Sequence, residues 1–213
     1  MVYFNKLYRL KIVQIPYFPE TNHPLVKSLF DHSDQELLSL FQEYPDSGKY
    51  FTVIFCRYSS ILYTLSWHSA RSPVQADYLF ALIWRNIFYQ LGKLSLRSQD
   101  GLTLQNWLID MTGFYINKIE LPPTETIHYS LQNTSPPLWC YVEQALDQLL
   151  PRSRLMILMA QRFHWSETKI ATYLQSQGEE ISLSEVNSCL EESYRILESK
   201  LPADIRAIYL NEN

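Results

Sequence analysis

Residues 141–201 constrain this chain most, because two helix starts stand close together there with helical apolar spacing around them. Ser166 takes an N-cap position ahead of Glu167-Thr168-Lys169-Ile170-Ala171-Thr172-Tyr173-Leu174, where its hydroxyl can accept from an amide N–H that a first helical turn leaves unbonded. Ser182 with Glu185 three residues on is a capping box, in which each side chain bonds the other's backbone N–H; the helix it opens is predicted to run to about Lys200. On that helix Val186, Cys189, Leu190, Ser193, Ile196 and Leu197 share one face, while Ser184, Ser188, Glu191, Arg195 and Glu198 share the other. Upstream, Leu146, Leu149, Leu150, Leu155, Ile157, Leu158 and Phe163 predict apolar faces on two helices that meet at Pro151. A short helix, a turn and a longer helix with a polar outer face form a candidate helix-turn-helix, an arrangement that suits a DNA groove.

The preceding residues read as a second helical domain. Ser33 and Glu36 form another capping box, followed by Leu37, Leu38, Leu40 and Phe41 before Pro45 ends the helix. A long helix over about 49–69 carries Phe51, Ile54, Phe55, Tyr58, Ile61, Leu62 and Leu65 at three- and four-residue spacings. Ser72-Pro73 opens a helix ending near Gly92, with Leu79, Leu82, Ile83, Ile87, Phe88 and Leu91 inside and Tyr78, Trp84 and Tyr89 as an aromatic outer face suited to a protein partner. After a polar loop at 93–101, a further helix over about 104–119 carries Trp107, Leu108, Met111, Tyr115 and Ile116. Pro122-Pro123 and Pro136-Pro137 then bracket a segment without helical pattern. The expected fold is all-α: an irregular arm at 1–32, a helical domain at 33–120, a Pro-rich linker at 121–138 that packs along one domain, and a helix-turn-helix domain at 139–213.

Composition narrows the function. With 46% hydrophobic and 19% charged residues the 213-residue chain is expected to bury a core, and no apolar run approaches the roughly 20 residues that cross a bilayer. Cys56, Cys140 and Cys189 lie far apart, which suits a reducing cytoplasm and offers no zinc spacing. The histidines (23, 32, 68, 128 and 164) place no two on one helical turn, so no metal and no cofactor are expected; His164 and the Glu179-Glu180 pair read as turn residues. There is no phosphate-cradling glycine loop, nucleophile elbow or HExxH pair, and a non-enzymatic role is expected.

Taken in order, these segments resemble a sigma-70 family RNA polymerase sigma factor of the small, two-domain extracytoplasmic-function type, over roughly residues 33–201. SDQELLSLFQ resembles the opening helix of the family's region two, and Cys56-Arg57-Tyr58 its pairing of a basic with an aromatic residue. Ala76-Asp77-Tyr78-Leu79 to Trp84 resembles the stretch that meets the polymerase clamp, and Asn106-Trp107-Leu108-Ile109 the start of the promoter-reading helix. Ala145-Leu146-Asp147-Gln148-Leu149 with Pro151 and Arg154, and Ser166 to Ala171, resemble region four. The resemblance implies that Asp77, Tyr78 and Arg85 face core RNA polymerase. It implies that Lys93, Arg97, Ser184, Asn187, Ser188 and Arg195 face promoter DNA, with an anti-sigma or other regulatory protein as a further partner. A second expectation stays open, because residues 141–201 hold six Lys and Arg against nine Asp and Glu. Non-specific DNA binding rests on phosphate contacts, so the alternative is a sigma-like protein-interaction module that regulates transcription without reading DNA.

Overall fold

A computed structural model describes residues 13–96 and 102–210. Among them every regular element is helical: α1 (Pro24–Lys27), α2 (Asp34–Glu43), α3 (Lys49–Ser69), α4 (Pro73–Leu91), α5 (Leu104–Lys118), α6 (Pro136–Asp147), α7 (Pro151–Arg162), α8 (Glu167–Ser176), α9 (Leu183–Lys200) and α10 (Ala203–Tyr209). Single 3-10 turns stand at Pro19–Asn22 and Thr124–Thr126. The chain divides into two compact units, Met1–Trp139 and Cys140–Asn213. The division falls inside α6, because Pro136-Pro137 starts a helix where the sequence reading ended a linker. A proline in the first turn lacks only an N–H that would be unbonded there anyway.

In the first unit α3 is the hub, packed against α1, α2, α4 and α5. Its N-terminal half is buried all round, with Phe51, Thr52, Val53, Ile54 and Phe55 each inaccessible. A helix apolar on every side belongs inside a bundle. Further along, the buried positions are Tyr58, Ser59, Leu62, Tyr63 and Ser66, whereas Ile61, expected inside, is exposed and Leu65 is half-buried. Small hydroxyl residues serve where helices approach closely, and each satisfies itself locally. Thr52 donates to the Gly48 carbonyl (3.0 Å), Ser66 to Leu62 (2.9 Å), and on α5 Thr112 donates to Leu108 (2.7 Å).

The core of this unit is aromatic. Phe51, Phe55, Phe80, Trp84 and Phe88 meet mostly edge to face, with centroids 4.8 Å apart for Phe51–Phe88 and 5.1 Å for Phe55–Trp84. Trp84 is fully buried among them, correcting its placement on the outer face of the helix. The described part of the N-terminal arm adds to this core: Phe18 lies 4.9 Å from Phe55, edge on.

The second unit is built around α7, α8 and α9, which bury Met156, Ile157, Met159, Ile170, Leu174, Val186 and Leu190 together with Leu149 and Ile181 from the connections. Capping matches the sequence pattern. Ser166 accepts from the Lys169 amide, and Ser182 and Glu185 form the reciprocal box. The inner face of α7 is Met156, Ile157 and Met159, while Leu150, Leu155, Leu158 and Phe163, expected inside, are exposed. His164 ends α7 in a left-handed conformation (φ 51°), a region in which His is enriched among non-glycine residues.

A Schellman-type closure ends α8. Gly178 is left-handed (φ 88°), its N–H meets the Gln175 carbonyl at 3.0 Å, and the Glu179 N–H meets Leu174 at 3.1 Å. A Cβ at Gly178 would meet no atom within 4 Å, so the cost of adding one is conformational alone. Gly178→Ala should destabilise the second unit by about 1–2 kcal/mol, measured by urea unfolding; an unchanged midpoint would show that this turn relaxes freely.

Candidate functional site

Two helix faces carry the residues singled out in the sequence. The first is on α4, where Tyr78, Leu82, Arg85 and Tyr89 recur at four-, three- and four-residue steps and therefore lie along one stripe. Tyr78, Leu82 and Arg85 are half-buried and Tyr89 is exposed. The Tyr78 end is covered: its ring lies 6.1 Å from Tyr129 and 6.3 Å from Trp139, and those two rings are 5.0 Å apart.

Asp77 departs from the stripe toward α3. The Tyr63 hydroxyl donates to its Oδ1 at 2.8 Å. Burial raises the Asp77 pKa, and the bond from Tyr63 partly opposes that. Burial also raises the Tyr63 pKa, with the hydrogen bond to Asp77 adding to it, so Tyr63 stays a donor at neutral pH. The carboxylate thus has an internal partner, and Tyr78 and Arg85 form the more outward part of the set. Lys93, just beyond α4, is exposed; Arg97 lies outside the described residues.

The second face is the outer side of α9. Ser184, Asn187, Ser188 and Arg195 are all exposed there, as are Glu191, Glu192 and Glu198. Arg195 makes an ion pair with Glu192 one turn back on the same helix. Three further cations of this unit are engaged as well. Arg152, at the start of α7, pairs with Glu179 in the α8–α9 turn (3.1 Å), Arg154 pairs with Asp147 (3.0 Å), and the Lys169 ammonium stands 4.4 Å over the Trp165 ring. The connection between α8 and α9 runs from Gln177 to Ser182, longer than the roughly 3–4 residues of a compact helix-turn-helix. It is nonetheless held in place: Ile181 is buried, and Gln175 Nε2 donates to its carbonyl at 2.7 Å.

Sequence reasoning missed a polar knot on the first unit. Arg57 and Tyr58, consecutive on α3, both donate to the Asp34 carboxylate in the first turn of α2. Arg57 also reaches the carbonyls of Phe30 (3.0 Å) and His32 (2.9 Å), which lie in the connection between α1 and α2. The Cys56-Arg57-Tyr58 triplet was visible in sequence, but no local pattern joins it to Asp34.

Among the described residues no group of three or more His, Cys, Asp and Glu is placed to hold a metal ion, and no helix is long and apolar enough to cross a membrane. Burial lifts the Cys56 thiol to about 12, far from the range of a reactive thiolate. No protein-family model, curated protein or solved structure matches this chain.

Proposed function

We propose that the chain is a sigma-like transcription initiation protein that binds core RNA polymerase through the α4 stripe and addresses promoter DNA with α9. The observation that carries this reading is the α8–α9 unit. Two N-capped helices are closed by a glycine turn over an apolar core, and the longer one presents Ser184, Asn187, Ser188 and Arg195 outward. Short hydroxyl and amide side chains can meet base edges or phosphate oxygens, and an arginine can bridge to either. The order of elements supports the same reading, since a helical bundle with an aromatic and basic helix face precedes this unit in the chain.

Arg195→Glu tests the DNA half. The substitution replaces the cation with an acid beside Glu191, Glu192 and Glu198. Affinity for a responsive promoter fragment should fall about tenfold or more near 100 mM salt, and the salt dependence should flatten. Equal binding by both proteins would remove Arg195 and the α9 face from the contact.

A second reading has its own observation. The pairing of Arg152, Arg154 and Arg195 with acids engages three cations of an acidic unit that could otherwise meet phosphate. On that reading the protein regulates transcription by binding the polymerase, an anti-sigma protein or another regulator, without touching DNA. Electrophoretic shifts across promoter fragments separate the two: a specific shift supports DNA reading, and none at low salt supports the interaction module.

A further inference from the structure

The α4 stripe is covered at one end by aromatic side chains of the same chain. Between α5 and α6 the chain has no regular structure beyond the single turn Thr124–Thr126, yet it is fastened at both ends. At its start, Gln75 Nε2 of α4 donates to the Pro122 carbonyl (3.0 Å), and the Ser72 and Thr124 hydroxyls are hydrogen-bonded (3.0 Å). At its end, the Ser135 hydroxyl donates to the carboxylate of Glu20, a residue only 3% exposed on the N-terminal 3-10 turn. Between these ties the segment holds its own shape. The Tyr129 hydroxyl donates to the Thr134 carbonyl (2.6 Å), the amides of Asn133 and Thr134 both donate to Ser130, and Leu131 is buried. The segment's Tyr129 ring lies against Tyr78, beside Trp139 from the first turn of α6.

From this arrangement we propose that residues 121–135 form an autoinhibitory strap that carries Tyr129 over the Tyr78 end of α4, and that a polymerase binding this face displaces it. The proposal rests on the reading of α4 as the polymerase-binding helix. Two features make the strap separable from the bundle beneath it. Its ties are a few side-chain hydrogen bonds and ring contacts, not a helical ladder, so it can open locally while α3, α4 and α5 stay packed. Its contact with Tyr78 is aromatic and non-covalent, which a competing partner surface with its own apolar and aromatic groups can replace. A covered face that must open lowers apparent affinity by the fraction of molecules that are open.

The test uses the full chain and the double variant Tyr129→Ala/Ser135→Ala, neither residue being on α4. Nitration of Tyr78 by tetranitromethane, mapped by mass spectrometry, reads exposure of the face without any partner. Titration with core RNA polymerase reads affinity. Tyr78 should nitrate several-fold faster in the variant, and polymerase should bind about tenfold tighter, the order expected from losing one ring contact and one charge-assisted hydrogen bond. Ser135→Ala alone, which removes only the tie to Glu20, should move both readouts the same way by a smaller factor; it guards against a folding defect in the double variant. Equal nitration rates would overturn the strap. Faster nitration with unchanged polymerase affinity would overturn its role as a gate. Faster nitration with no polymerase binding by any chain would establish the strap over Tyr78 and sink the polymerase reading instead.

Discussion

Trp84→Ala is expected to lower the unfolding free energy of the first unit by about 3–5 kcal/mol, the range for truncating a buried large aromatic. Trp84 has no exposed surface, and its ring is walled by Phe51 at 5.8 Å, Phe55 at 5.1 Å and Phe80 at 6.3 Å between centroids. These neighbours sit on two packed helices, α3 and α4, so the space left by the indole cannot close without moving one helix against the other. A loss of this size is a large share of a domain stability of about 5–15 kcal/mol. Trp84→Phe sharpens the test. The indole Nε1 is buried and has no hydrogen-bond partner among the described residues, a defect worth about 1–3 kcal/mol that phenylalanine removes. The lost packing and the removed defect largely offset, so this variant should stay within about 1 kcal/mol of the parent. Urea unfolding followed by circular dichroism measures both. A Trp84→Ala cost below 1 kcal/mol would show that the aromatic cluster is not the centre of the unit.

Asp34→Ala should cost about 2–3 kcal/mol, below the full penalty for breaking a buried pair. The discount has two reasons: the Arg57 and Asp34 side chains are 22% and 29% exposed, so water screens them, and Arg57 keeps the Phe30 and His32 carbonyls as acceptors. The remaining loss comes from the Tyr58 hydroxyl, left without its acceptor, and from an uncompensated guanidinium charge. Asp34→Asn keeps an acceptor for Tyr58 and should cost about half as much. The knot also carries a pH signature. Burial raises the Tyr58 pKa above its ordinary 10.0, and the hydrogen bond to Asp34 adds to the rise. A phenol held protonated in the folded state contributes stability that is complete below about pH 10 and is lost as pH rises toward the folded pKa. Alkaline unfolding of Tyr58→Phe should therefore begin from a lower baseline stability and show a shallower pH dependence than the parent. An identical pH dependence would place the titration elsewhere.

Local chemistry was legible in the sequence, and contacts between distant positions were not. The caps at Ser33, Ser72, Ser166 and Ser182 depend on residues within one turn, and each forms as its spacing predicts. The buried side of α9 was equally clear, because polar residues separate its apolar positions. On α7 the run Leu155-Met156-Ile157-Leu158-Met159 has apolar residues on every side, so periodicity could not choose the inner face, and packing on α8 and α9 chose Met156, Ile157 and Met159. Counting apolar residues also hid Thr52, Ser59, Ser66 and Thr112, which bury because their hydroxyls bond within their own helix. At the candidate site the outward placement of Ser184, Asn187, Ser188 and Arg195 followed from helical geometry. The turn of Asp77 toward Tyr63, and the covering of Tyr78 by Tyr129 and Trp139, came from side chains that meet only after the bundle has formed.

The proposed engagement of core RNA polymerase is tested most directly by titrating the labelled chain with purified core enzyme at low salt, where complementary charges act with least screening. A saturable, stoichiometric complex that initiates transcripts from genomic promoter fragments is the predicted result. No association at any core concentration up to several micromolar would contradict it.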